Sequence, residues 1–251
     1  MFSMPPSITF ETKCWENDWR PLLKTKRIET MIKRNNYNFQ RKVLLINNVK
    51  DYKLVSFFAD RLIEKKVLTN YFIVKDYAQL ALDFFGLSKE SLGVGYVYSI
   101  AEFVGIYLCA SDYLLHFSSD SILNKNVEWI EKAISKMEKY KNIKVANLVW
   151  NNHYDEARKE SFLQDDDFFI GYGFSDQMYL VRCKDFKAKI YNETNSFSSR
   201  YPSYGGELFE KRIDAWMRNH GYMRATYKHG SYSHKNFEPS KIRFLKKKLG
   251  L

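Results

Sequence analysis

The residues of this chain best suited to do chemistry are carboxylates and imidazoles set beside small or turn-forming neighbours. Asp120 follows Ser118 and Ser119 at the end of the apolar run Tyr113 to Phe117, and Glu207 follows two glycines with Glu210 three residues on. His229 and His234 bound the late segment His-Gly-Ser-Tyr-Ser-His, and Asp165, Asp166 and Asp167 form an acidic triplet. A carboxylate can take a proton as a general base or offer a hard oxygen to Mg2+ or Mn2+, and an imidazole suits Mn2+. Each group also has a structural use. Asp120 can cap a turn after a strand, and Glu207 and Glu210 can sit in a first helical turn, where the dipole favours negative charge. The triplet can be a solvated loop, and His116 alternates within a strand pattern and reads as packed.

Several chemistries are disfavoured at once. Cys14, Cys109 and Cys183 are widely spaced, odd in number and without a CxxC pair, so they read as buried thiols and not as a disulfide framework or zinc site. Gly93-x-Gly95 is too short for a dinucleotide fingerprint and no GxxxxGK[ST] phosphate loop is present.

The elements that must position these groups alternate between short apolar runs and helical periodicity, the βαβ signature of a mainly parallel sheet. Ser7 to Phe10 and Val43 to Ile46 read as strands, and Asp51 is placed to cap a helix bearing Val55, Phe58, Ala59, Leu62 and Ile63. Tyr71 to Val74 reads as a third strand, followed by a short helix that Gly86 ends. A loop over Gly93 to Ser99 leads to an apolar helix, Ile100 to Cys109, and then to the strand Tyr113 to Phe117. Val127 to Met137 has helical spacing and Val145 to Trp150 is a strand; beyond it, Asn151 to Gly173 reads as a long polar loop. Met178 to Val181, a helix over Glu207 to Asn219 and a short strand over Tyr222 to Tyr227 complete the pattern.

With 251 residues, 45% of them hydrophobic and 17% aromatic, the chain can bury one large core, so a single domain over 1–251 is expected. No run of about 18 apolar residues appears, and the first residues lack the order of a secretory signal, which favours a cytoplasmic location, with peripheral membrane contact in view. The net charge of +11 favours an anionic partner, and much of it lies in Lys24 to Arg41 and in the closing run Lys241 to Leu251. That run reads either as a solvated helix face or as a contact with anionic membrane.

In open α/β sheets ligands gather beyond the carboxyl ends of the strands, here Glu11-Thr12, Asn47-Asn48, Asp76 and Ser118-Ser119-Asp120. In these positions the chain resembles the GT-A glycosyltransferases, especially the inverting group called family 2, as a pattern over most of its length. The resemblance implies a Rossmann-like GT-A domain whose residues 1–120 bind a nucleotide-sugar, with a UDP-sugar as the expected donor. It places Thr9, Glu11, Thr12, Asn48, Asp76, Ser119 and Asp120 at the nucleotide. Ala110 to Asp120 resembles the family's strand and DxD motif with Ser118 in place of the first acid, so Asp120 becomes the residue for a Mn2+ or Mg2+ bridging the diphosphate. Tyr204-Gly-Gly-Glu207 resembles the stretch supplying the catalytic base, with Leu208 for the usual second acid, which assigns that role to Glu207 ahead of Glu210. His234, or else His229, matches a C-terminal metal-ligand histidine. Residues 121–251 would hold a glycan or lipid-linked acceptor, with Trp150, Tyr172, Tyr201 and Tyr204 as aromatic surfaces for it. Two rivals stand beside this reading: a basic nucleic-acid-binding protein, which lacks a recognition motif, and a GT-A-like domain that binds a sugar nucleotide without turnover.

Overall fold

The computed structural model describes residues 5–201 and 206–235; the basic run 241–251 and residues 204 and 205 lie outside them. One sheet runs through the chain in the order β3-β2-β1-β4-β9-β6-β10-β8-β7, with β5 added to β10. Its first part is the expected parallel βα unit. β1 (Ile8–Cys14) lies between β2 (Arg41–Ile46) and β4 (Tyr113–Phe117), and β3 (Asn70–Ile73) flanks β2, all parallel. α1 (Trp19–Leu23) and α2 (Arg27–Arg34) join β1 to β2. Asp51 accepts from the Leu54 amide at 2.9 Å and caps α3 (Tyr52–Glu64), and Gly86, in the left-handed region at φ 66°, ends α4 (Val74–Phe85).

The second part is mixed. β9 (Met178–Arg182) is antiparallel to β4 and to β6 (Ile143–Trp150), and β6 pairs in parallel with β10 (Met223–His234). The stretch expected as a long loop folds into α8 (Tyr154–Lys159) and a hairpin of β7 (Ser161–Gln164) and β8 (Phe168–Gly171) on the edge. The acidic triplet is its turn: Asp165 accepts from the backbone of Asp167 and Phe168, and Lys132 and Lys136 pair with Asp167 and Asp165. β10 is twice its expected length because an irregularity between Tyr227 and Ser231 interrupts the pattern while pairing continues to His234. Its far end pairs with β5 (Ser121–Leu123). α7 (Ile130–Lys139), α9 (Cys183–Phe186) and α10 (Phe209–Asn219) cover the faces.

Between α4 and β4 come α5 (Lys89–Leu92), a 3-10 turn over Gly93–Gly95 and α6 (Tyr96–Leu108), which begins earlier than its apolar run suggested. By length and composition Lys89–Leu108 could cross a membrane, yet 56% of its most apolar window is inside the fold, and Ser99 through Ile106 are buried without a break. α6 is thus a core helix, apolar on nearly all sides because it is enclosed on nearly all sides.

The two faces of β1 divide the interior. Ile8, Phe10 and Cys14 enter the apolar cluster shared with α1, α2, α3 and α7. Thr9, Glu11 and Lys13, on the opposite face, meet Ser111, His116 and Glu102. α6 approaches so closely that a Cβ on Gly105 would lie 2.4 Å from a Glu11 carboxyl oxygen. The carboxyl cannot simply swing aside, since it is buried and bonded to His116 at 2.9 Å. Gly105→Ala should therefore destabilise the protein by about 1–3 kcal/mol, although alanine is the better helix former by about 1 kcal/mol. A denaturant midpoint equal to or above the parent's would show that the carboxyl moves.

Candidate active site

At the carboxyl ends of β1, β2, β3 and β4 the chain turns sharply, and these turns form a row along one edge. After β1 comes Trp15, half exposed, and Asp18, whose carboxylate accepts from the Trp15 amide and from the Ser119 hydroxyl. After β2, Asn48 takes a left-handed conformation at φ 48° and donates to the Val97 carbonyl at 3.2 Å, tying this loop to the start of α6. Asp76 is exposed in the first turn of α4. After β4, Ser118 donates to Asp120 at 2.8 Å, and the Ser119 carbonyl accepts from Arg27 at 2.6 Å.

Asp120 and His234 meet here. β5 and β10 pair antiparallel with Ser121 opposite His234, which brings the imidazole Nε2 within 3.2 Å of the Asp120 carboxylate. Both side chains keep some access to solvent, 17% for Asp120 and 21% for His234. Burial opposes the charge of Asp120, but His234 and the Ser118 hydroxyl outweigh it and hold the carboxyl below its ordinary value. An ionised oxygen ligand and an imidazole nitrogen, adjacent and accessible, are a donor set that fits Mn2+, or Mg2+ through the carboxylate, with phosphate and water completing the shell. Among the described residues no group of three or more His, Cys, Asp or Glu is placed to hold a metal alone.

A second group of charges lies against this pair. Lys13, the penultimate residue of β1, forms an ion pair with Glu102, which is fully buried on α6. Burial alone would lower the Lys13 pKa, but Glu102, Asp176 and Asp120 surround it and raise it, so the ammonium stays charged. Asp176 precedes β9, and its amide donates to the Glu210 carboxylate at 3.4 Å. Glu210 stands in the first turn of α10. That turn is pinned to α6 by the Phe209 amide donating to Ser99 Oγ at 2.9 Å, and Arg212 ties it to the carbonyls of Ser91 in α5 and of Tyr191 beyond α9. Burial, then repulsion from Asp176, pushes the Glu210 carboxyl up to about 8, and burial raises Asp18 to about 6.

A cavity of about 220 Å3 is walled by the end of β6, α8, β10 and the segment leading into β9, where Ser175 and Gln177 flank Asp176 in sequence. Trp150 and His153 stand edge to face at its rim, and Asn147, Gln177, Thr226 and Tyr232 offer polar groups within it. Arg200 and Arg224 converge above Gly173, where a Cβ would lie 2.4 Å from Arg200 and 3.2 Å from Arg224. Tyr201 is bound up with the backbone of Phe174.

Of the residues singled out from the sequence, Asn48, Asp76, Ser119, Asp120 and His234 stand along the strand-end row. Thr9, Glu11 and Thr12 do not. β1 continues to Cys14, so these three lie within the strand, 3%, 2% and 0% exposed, and Glu11 bonds to His116 instead of facing the cleft. Burial raises the Glu11 pKa and lowers that of His116, so the two form a neutral pair in which the acid donates to the imidazole. His229 is exposed beside the β7–β8 turn, bonded to the Asp166 carbonyl at 3.1 Å and apart from Asp120. Glu207 precedes α10 and pairs with Lys211 at 2.5 Å, whereas Glu210 joins the buried charges. Lys13, Asp18, Glu102 and Asp176 escaped the sequence reading. Glu102 alone carried a signal, as the one acid in the apolar run Ile100 to Leu108.

No family model and no curated protein matches the sequence at a significant level. Solved structures do match the fold. A glucosyl-3-phosphoglycerate synthase from Mycobacterium tuberculosis, solved with Mn2+, UDP and glucosyl-3-phosphoglycerate, superposes with a TM-score of 0.50 at 12% identity over 95% of this chain and 75% of its own. The same enzyme with Mg2+ and UDP gives 0.50 at 13% identity, over 94% and 74%. GalNAc-T7 with UDP, GalNAc and Mn2+ gives 0.57 at 10% identity, over 91% of this chain and 44% of its own. With its parallel β3-β2-β1-β4 half, its mixed second half and the strand-end row between them, the chain has the GT-A glycosyltransferase fold as a single domain.

Proposed function

We propose that this protein is a glycosyltransferase that moves a sugar from a nucleotide-diphosphate donor, with UDP-sugars first among those to test, to a hydroxyl of an acceptor held near β6 and β10. The observation that carries this reading is the meeting of Asp120 and His234 at the strand ends, within reach of the charges of Lys13, Asp176 and Glu210. The donor's nucleoside would lie along Trp15, Asn48 and Asp76, and its diphosphate at Ser119 and Asp120. A Mn2+ or Mg2+ held by Asp120 and His234 would neutralise charge on the diphosphate. Lys13, kept cationic by its carboxylate neighbours, adds a fixed positive charge on the same side. The UDP and Mn2+ in the GT-A neighbours' structures support the donor class.

The acceptor would occupy the cavity rimmed by Trp150 and His153, whose polar groups suit hydroxyls. Glu210, bonded to the amide of Asp176 between the lining residues Ser175 and Gln177, serves in this scheme as the base, because a buried carboxyl with a pKa near 8 takes a proton more readily than an ordinary acid. Glu207 is the alternative, weakened by its pairing with Lys211 in a more open setting. Direct displacement assisted by such a base inverts the anomeric centre, as in family 2. NMR of the first-formed product settles this, and a retained configuration would rule the scheme out.

Asp120→Asn and His234→Ala should each weaken Mn2+-dependent UDP binding roughly tenfold or more while leaving the fold intact. Calorimetry showing parental affinity in both variants would remove the metal assignment. UDP binding without sugar transfer from any donor would identify a binding domain instead of an enzyme.

Glu210→Gln should lower transfer by roughly 10²–10⁴-fold while UDP-sugar affinity stays close to the parent's. The parent's kcat/KM should rise with pH through an apparent pKa of about 8, since the base must be ionised, and the variant should lose that limb. Full transfer by Glu210→Gln together with its loss in Glu207→Gln would return the role to Glu207.

A further inference from the structure

The three cysteines are dispersed in sequence, but the fold brings two of them together on the side of the sheet away from the strand-end row. Cys109 ends α6 and Cys183 opens α9, 74 residues apart. The Cys183 amide bonds to the Asp112 carbonyl at 2.9 Å, which continues the β4–β9 ladder and fixes the two segments side by side. The sulfurs lie 2.7 Å apart, inside non-bonded contact for two sulfur atoms. A disulfide is about 2.05 Å long, so covalent closure needs a shift well under an ångström.

We propose that Cys109 and Cys183 are a reversible redox pair that closes to an intramolecular disulfide by exchange with a small exogenous disulfide such as oxidised glutathione. Both thiols are nearly buried, 6% and 3% exposed, but both line a surface pocket that also carries Lys184, Lys187 and Asp112. The two lysines suit an anionic disulfide. Cys109 attacks first. A hydrogen bond from Cys183, with help from Thr9 and the charge of Lys187, outweighs burial and brings its thiol down to about 7, and the same contact raises Cys183. The Cys109 thiolate displaces one thiol from the exogenous disulfide, forming a mixed disulfide. The Cys183 sulfur then attacks the Cys109 sulfur, breaks that bond and releases the second thiol. Two electrons pass from the protein to the exogenous disulfide, and the two cysteine protons end on the released thiols. Cys14 lies on the opposite face of β1, in the cluster with α1–α3, and takes no part.

The test is thiol titration and peptide mapping of the folded full chain after oxidised glutathione and after a reductant. The reduced protein should titrate three thiols on denaturation. The oxidised protein should titrate one, yield a Cys109–Cys183 linked peptide, and melt on the order of 5–10 °C higher because a long loop is closed. Cys183→Ser should accumulate glutathione on Cys109, whereas Cys109→Ser should leave Cys183 unmodified under the same treatment. Three titratable thiols after oxidation, a stable mixed disulfide in the parent, or a link through Cys14 would each overturn the proposal. An unmodified Cys109 in Cys183→Ser would do so as well.

Discussion

The buried ion pair of Lys13 and Glu102 is the constraint on which the rest of this structure depends. A charge removed from water is tolerated only when its partner is close and other groups satisfy it, so β1 and α6 must meet in one register. Gly105 permits the approach, because the Glu11 carboxyl fills the space a side chain there would need. The same face continues through Glu11 and His116 to Thr9 and Ser111, a line of polar contacts from one end of β1 to the other. Once α6 is fixed, Ser99 fixes the start of α10, and with it the position of Glu210.

Lys13 also organises the charges above it. Four carboxylates, Glu102, Asp120, Asp176 and Glu210, lie within electrostatic reach of its ammonium, and they cannot all be ionised at no cost. The fold separates them by environment. His234 and the Ser118 hydroxyl hold Asp120 below its ordinary value, while burial and repulsion from Asp176 push Glu210 up to about 8. Such divergence among neighbouring acids is how one site holds an anion and a proton acceptor together. It has a stability consequence of definite sign. Glu210 titrates higher folded than unfolded, so its contribution is present below the ordinary carboxylate pKa and is lost as pH rises through about 8. That is the pH at which it becomes able to take a proton.

The sequence revealed what is encoded locally. The Asp51 cap, the Gly86 stop and the strand Tyr113–Phe117 running into Ser118-Ser119-Asp120 each depend on a few adjacent residues, and each stands in the structure where expected. What escaped depends on partners far along the chain. β1 looked finished at Phe10 because Glu11, Thr12 and Lys13 are polar, and the residues that satisfy Glu11 and Lys13, His116 and Glu102, lie about a hundred positions away. The β7–β8 hairpin was hidden by an acidic turn whose counter-charges come from α7. Glu207 and Glu210 were separated by a helix start that falls at Phe209, a boundary set by the hydrogen bond to Ser99 and not by helical propensity.

Ser118 shows how the site can depart from a two-acid motif and still be coherent. Its position is nearly closed to solvent, and a carboxylate there would sit beside Asp120 with only a bound cation to neutralise it. The serine avoids that repulsion. Its hydroxyl donates to one oxygen of Asp120 and is shared with Ser121, which leaves the other oxygen turned toward His234. The antiparallel pairing of β5 with β10 holds this strand end through the backbone and sets His234 beside Asp120. With serine there, the strand end carries one negative charge fewer of its own, and the neighbouring Lys13–Glu102 pair adds no net charge to it. Position 118 thus exchanges a charge for a hydrogen bond that orients Asp120.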